Sequence, residues 1–289
     1  MTENATQQSI TMVGGPNTGK SHFTFQLYGR LRAKMSDLKL REMPNEDLFR
    51  EGLDRLNKGL AAEHTNIDKY DNADLRIVDD DGTSFDLLWP DYGGEQILRI
   101  LETRSVDLDW KERLAKTDGL LLFIRLAEII DYKNMIEHPI DVKLKERKEK
   151  GDTDTDSILE LHSQVGIVEM LQILLWTAER NSARLISSPK LGVVLTCWDE
   201  LDSQGSDPAI LLKERMPFLH QYIYSVWSKE SVIIQGLSSL EQTLDEEKQN
   251  ENFREKGPGA FGYVVSPTGE HSPDLTLLVS RILKLLDGD

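Results

Sequence analysis

The chain has 289 residues, room for one large domain or two small ones, and at 39% hydrophobic and 29% charged residues it can bury a sizeable core and is not a disordered polyelectrolyte. Thirty-four basic against 50 acidic side chains give a net charge of -16, which opposes general attraction to nucleic acid or an anionic bilayer; neither partner is expected. A single cysteine, Cys197, excludes an internal disulfide and a four-cysteine metal site and points to a reducing cytoplasm, and neither a signal-peptide pattern nor an apolar run of membrane-spanning length is present.

Short apolar runs alternate with longer stretches of helical period, the pattern of a mostly parallel α/β sheet with helices on both faces. Strands are predicted at Ile10–Val13, Leu75–Val78, Phe85–Trp89, Leu120–Leu126, Leu191–Thr196 and Val232–Gln235, with a weaker one at Phe261–Val265. Asp81-Gly82 suits a tight turn between the second and third, so one antiparallel edge strand is expected. Helices are predicted over Glu46–Ala62, from a capping box at Ser157-x-x-Glu160 through Val165 toward Arg180, and after Ser272-Pro273 to the end of the chain. Two charged stretches, Asp141–Asp156 and Glu241–Lys256, break the rhythm and read as surface insertions or mobile loops. The organisation expected is one domain over residues 1–289, with insertions near 127–156 and 241–260.

Between the first strand and a helical stretch stands Gly14-Gly15-Pro16-Asn17-Thr18-Gly19-Lys20-Ser21, a match to G-x-x-x-x-G-K-[ST]. Backbone N–H groups of such a loop wrap phosphates, its lysine adds a point charge, and its hydroxyl suits magnesium. A second acid at a strand end is needed to hold the metal through water, with a backbone N–H nearby for the γ-phosphate. Asp91-Tyr92-Gly93-Gly94 supplies both after Phe85–Trp89, and Pro90 ends the strand where the acid is wanted. For the base, Thr196-Cys197-Trp198-Asp199 comes after Val193–Leu195, where GTPases carry [NT]-K-x-D. The aspartate can accept both guanine N1–H and the exocyclic amine, but Cys197 replaces the lysine, so Trp198 or another apolar group would have to cover the base. Alternatively Cys197 and Trp198 are core residues and Asp199 is a cap.

In order, these pieces resemble a small GTPase of the translation-factor-related class, nearest to Arf-like proteins and to the bacterial double-GTPase families. Gly236-Leu237-Ser238-Ser239 and Gly257–Val265 add to the double-GTPase likeness. The resemblance implies a GTP-fuelled switch, with Mg2+ and GTP/GDP as cofactors, in a bacterial multi-component system such as one of defence, with a second GTPase or effector protein as partner. Carried over, Gly14, Gly15, Asn17, Thr18 and Gly19 cradle phosphate, Lys20 meets the β- and γ-phosphates, Ser21 and Asp91 serve magnesium, and the Gly94 N–H senses the γ-phosphate. Asp199 reads guanine, Ser238 lies in the third base-contacting loop, and Thr65 is preferred over Thr83 as the switch threonine that meets magnesium. Glu95 stands where many small GTPases have the glutamine that orients water, and Gln96 is next to it, so either can orient water and intrinsic hydrolysis is expected to be slow. Two other readings stay open: an ATPase of the additional-strand class using Asp199 and Glu200, or a nucleotide-stabilised scaffold with little hydrolysis. The six scattered histidines have no metal spacing and are assigned surface or packing roles, and Cys197 reads as an inert thiol rather than a nucleophile.

Overall fold

A computed structural model describes residues 8–34, 36–44, 46–62, 73–89, 94–129, 163–180, 182–201 and 205–286. Its centre is an α/β sheet whose nine strands among the described residues run β2-β3-β4-β1-β5-β6-β7-β8-β9. They are β1 (Gln8–Val13), β2 (Lys39–Leu40), β3 (Ala73–Val78), β4 (Ser84–Trp89), β5 (Gly119–Arg125), β6 (Lys190–Thr196), β7 (Val232–Ser238), β8 (Tyr263–Val265) and β9 (His271–Ser272). β4, β1, β5, β6 and β7 are parallel, so their C-terminal ends share one edge of the sheet. The apolar runs GLLLFIR and KLGVVLT become β5 and β6 because both faces are covered: every residue of β6 is buried, and every residue of β5 but Arg125.

Helices α1 (Lys20–Arg32), α2 (Glu46–Asn57) and α9 (Leu277–Leu286) bury Phe23, Leu27, Phe49, Leu278 and Ile282 with Ile10, Met12, Phe123 and Val194 on one face. Helices α3 (Gly94–Thr103), α4 (Leu108–Lys116), α5 (Gln164–Thr177), α6 (Pro208–Arg215) and α7 (Pro217–Val226) cover the other, where Trp110, Leu171, Leu212 and Ile223 meet Val13, Leu122 and Val193. Because α1 leaves the sheet from the interior strand β1, its first turn lies at the edge where all five parallel strands end.

Antiparallel pairing is more extensive than the single edge strand the sequence suggested. β3 pairs antiparallel with both β2 and β4, and at the opposite edge β8 is antiparallel to both β7 and β9. The expected turn is present: Gly82 sits at φ 85°, and Asp79 Oδ1 accepts from Thr83 N–H at 2.8 Å. Helix starts also shift. Ser163, not Ser157, caps α5, its hydroxyl accepting from Gly166 N–H, and Val165 is 51% exposed rather than on the buried face. Residues 157–162 lie outside the described residues. Ser272 belongs to β9, and Asp274 instead accepts from Thr276 N–H just before α9. The helix over 46–62 stops at Asn57, since Gly59 at φ 73° turns the chain.

The acidic stretch 241–260 is a packed cap, not a mobile loop. Leu244 and the fully buried Phe253 of α8 (Glu251–Lys256) belong to the same core as α1 and α2, and Phe253 stacks on Phe261 with ring centroids 4.5 Å apart. Asp245 O accepts from Ala61 N–H and Asn250 N–H donates to Gly59 O, lacing the cap to the chain after α2. Phe253→Ala is therefore expected to cost about 3–5 kcal/mol in chemical denaturation; a mobile loop would lose almost nothing. At the start of the other insertion Leu126–Glu128 form a 3-10 turn, and residues 130–162 lie outside the described residues.

Candidate functional site

Gly14, directly after β1, holds φ 152°, and a Cβ there would fall 2.7 Å from the Phe123 carbonyl oxygen of β5. The loop can turn over β5 only with glycine at this position. Asn17 sits at φ 57° and is exposed, while buried Thr18 donates through Oγ1 to Gly15 O at 2.9 Å. Gly19, at φ 76°, is the N-cap of α1, and no side chain caps that helix end. The first-turn N–H groups therefore give this end of α1 its positive pole, suited to an anion.

Lys20 turns back into the loop. Its Nζ donates to Gly14 O (2.8 Å), Gly15 O (2.6 Å) and Thr18 Oγ1 (3.0 Å), three acceptors for the three hydrogens of an ammonium. Burial pushes its pKa down to about 7. Ser21 is next in the first turn of α1, half-buried, its hydroxyl a hard oxygen donor of the kind Mg2+ prefers.

The end of β6 comes to the same place. A Cβ built on Gly19 would have the Thr196 Cβ as its neighbour at 3.9 Å, and Thr196 Oγ1 donates to Ile124 O at 3.1 Å. The 3-10 turn Trp198–Glu200 comes next, entered through Cys197 at φ 50°. Trp198 is a core residue at 3% exposure: a Cβ on Gly236 of β7 would meet its ring at 2.5 Å, so the indole packs flat against β7 and cannot cover a base. The expected compensation for the missing lysine is thus not made by Trp198. Cys197 is partly buried and its thiol is pushed up to about 12, first by burial, against the opposing field of Arg125; that is the inert thiol expected.

Asp199 and Ser238, predicted from separate parts of the chain, are in contact. Ser238 Oγ donates to Asp199 Oδ1 at 2.5 Å and accepts from Glu241 N–H at 2.9 Å, so its one proton has a fixed direction. Glu200 turns elsewhere, accepting from Arg125 Nε and NH2 at 2.9 and 2.6 Å while Arg125 NH1 donates to Glu128 at 2.6 Å. A carboxylate held by a bidentate guanidinium is poorly placed to polarise water, which removes the residue the ATPase reading needed. β4, which leads to Asp91, adjoins β1 directly in parallel register. Asp91 and Thr65 lie outside the described residues, and Gly94, Glu95 and Gln96 are described only as the backbone of the first turn of α3. Thr83, in the β3–β4 turn, is bound to Asp79.

The loop, the base-side turn and their strand order meet a matching family model. The model of the Double-GTPase 1 family matches residues 11–282. The chain belongs to the Double-GTPase 1 family. It is accordingly a P-loop enzyme that binds guanine nucleotide and hydrolyses GTP. No curated protein sequence matches it. Among solved structures, this Double-GTPase 1 chain is similar to Sup35 complexed with GDP, at 17% identity and TM-score 0.35 over 80% of this chain and 37% of that one. It is also similar to the S. cerevisiae Ski7 GTPase-like domain bound to GDP and inorganic phosphate, at 14% identity and TM-score 0.36 over 86% and 48% of the two chains. The same domain bound to GTP gives 15%, 0.35, 80% and 42%. The alignments thus take in less than half of each of those chains. Among the described residues no helix is long and apolar enough to cross a membrane, and no group of three or more His, Cys, Asp or Glu could hold a metal ion.

Sequence reasoning missed Gln26 and Glu241, which hold the base-side turn in place. Gln26 is 1% exposed. Its signal was available: a polar residue in an otherwise apolar stretch of α1, four positions from His22 and four from Arg30.

Proposed function

We propose that this GTPase is a nucleotide-dependent switch of a bacterial multi-component system, of the defence kind, built as one domain and working in the cytoplasm with a second GTPase or an effector. The observation that carries the nucleotide part is the convergence of the Gly14–Ser21 loop with the Asp199–Ser238 pair, through the approach of Gly19 to Thr196. Phosphates lie along the loop amides and the start of α1, Lys20 exchanges carbonyl acceptors for phosphate oxygens, and Asp199 accepts from the guanine edge. Ser21, with Asp91 through water and Thr65, is the set that would hold Mg2+, which when bound neutralises charge on the β- and γ-oxygens. The Gly94 N–H faces the γ-phosphate, and Glu95 or Gln96 orients water. With a glutamate in the first of those places, hydrolysis is slow without a partner.

Titration with GTP, GDP and ATP, and then phosphate release, tests this reading. GTP and GDP should bind at least about ten-fold more tightly than ATP; equal affinities would refute the base site. Asp91→Asn should weaken magnesium-dependent GTP binding by about ten-fold, since an amide holds the metal's water less well than a carboxylate. Wild-type magnesium dependence in that variant would leave Asp91 a turn residue only.

A further inference from the structure

Helix α1 carries three polar side chains at a spacing of four, His22, Gln26 and Arg30, so they lie one above another along one stripe of the helix. Each ends on the backbone of other segments of the chain. His22 Nε2 accepts from Ala62 N–H at 3.1 Å, at the last described residue before the stretch that holds Thr65. Gln26 Nε2 spends both amide hydrogens on backbone carbonyls, Ser239 O and Pro258 O, each at 3.0 Å. Arg30 donates to Phe261 O at 2.6 Å and also to Pro273 O. The helix that begins at the phosphate lysine is thereby sewn to the turn after β7, to the 241–260 cap and to the chain after α2.

We infer that Gln26 is a positioning residue for base recognition, an inference that rests on the assignment of Asp199 to the base. Ser239, which Gln26 holds, adjoins Ser238, and Ser238 aims its proton at Asp199. The turn is closed from its other side as well: Glu241 Oε1 accepts from Gly262 N–H at 2.7 Å, and a Cβ on Gly262 would fall 2.7 Å from Ser239 O. Ser239 O is thus fixed between α1 and the Gly262 backbone. Loss of the amide leaves the inward-facing Ser239 O without its donor, whereas Pro258 O keeps the Phe261 N–H, and the turn can recover a partner for Ser239 O only by moving away from α1. That motion carries the Ser238 hydroxyl off Asp199 and frees the carboxylate to rotate. The phosphate loop ends nearly two helical turns earlier, at Lys20, and keeps its own bonds.

The test is Gln26→Leu, with affinities for GTP, ITP and inorganic tripolyphosphate measured against one fluorescent nucleotide. ITP lacks the exocyclic amine that the second Asp199 oxygen accepts from, so the GTP-to-ITP ratio reads how well the carboxylate is aimed. Wild type is expected to favour GTP by about ten-fold or more. In Gln26→Leu that ratio should fall to within about three-fold of unity while tripolyphosphate affinity stays within about two-fold of wild type. An unchanged ratio overturns the inference, and so does an equal loss for all three ligands, which would make Gln26 a general support of the fold. Should Gln26→Leu not fold, Gln26→Asn, whose shorter amide cannot span both carbonyls, carries the same comparison. If wild type itself shows no preference for GTP over ITP and ATP, the base assignment fails instead, and the two failures stay distinct.

Discussion

Lys20→Ala is expected to abolish tight GTP binding, by at least about 100-fold, with little change in the melting temperature of the nucleotide-free protein. Hydrogen bonds from a charged donor contribute about 1.5–3 kcal/mol each, and a triphosphate takes at least two from this ammonium, enough for two orders of magnitude. The fold is spared because the loop's other constraints, the Gly14 approach to Phe123 and the Thr18–Gly15 bond, do not involve the lysine. A buried ammonium is moreover costly to keep, and its burial is what lowers the pKa to about 7. This depressed pKa fixes the sign of the pH dependence of binding. A triphosphate beside Lys20 raises its pKa again, so above about pH 7 binding draws a proton from solvent and affinity falls as pH rises; below about pH 7 the lysine is already charged and adds no slope. Isothermal titration between about pH 6 and 9 should show that slope in wild type and its loss in Lys20→Ala. Unchanged GTP affinity at equal magnesium would remove the phosphate-site assignment.

What could be read from the sequence had local causes. The β5 and β6 runs announce themselves because strands buried on both faces have no polar alternation, and the phosphate loop because glycines at positive φ and a helix start are consecutive in the chain. What could not be read depends on distant partners. β2 and β9 are two residues each and exist as strands only through Val78, Ile77, Val264 and Val265. Glu241–Lys256 looks solvated from its charge, yet Leu244 and Phe253 join the core of α1 and α2, and backbone bonds with Ala61 and Gly59 lace it down. Nothing near Trp198 in the chain keeps its ring from a base; Gly236, in the neighbouring strand, supplies the flat surface that claims it. Ser238 was one serine in a turn; only the pairing of β6 with β7 brings it to Asp199.

That contact sharpens the expected outcome of Asp199→Asn, a shift of preference from guanine to xanthine nucleotides. Ser238 Oγ accepts from Glu241 N–H and must therefore donate its own proton to residue 199. An asparagine there satisfies Ser238 only by presenting Oδ1, and this turns Nδ2 outward to the base. In wild type the outward atom is a carboxylate oxygen, an acceptor for the exocyclic amine while Oδ1 takes the guanine N1–H; in the variant it is a donor, opposed to that amine and matched to the carbonyl xanthine carries in its place, and Oδ1 still accepts the N1–H that both bases keep. A mismatched buried donor costs about 1–3 kcal/mol, and the change of preference counts that loss for GTP together with the gain for XTP, so the GTP-to-XTP ratio should move by about 100-fold or more. Competition of GTP, XTP and ATP on wild type and variant measures it. Asp199→Asn combined with Ser238→Ala is the control for orientation: without the serine the amide can flip, and the xanthine preference should shrink by about ten-fold. If Asp199→Asn keeps the wild-type preference for GTP, Asp199 does not read the base, and the contact with Ser238 serves only to join β6 to β7.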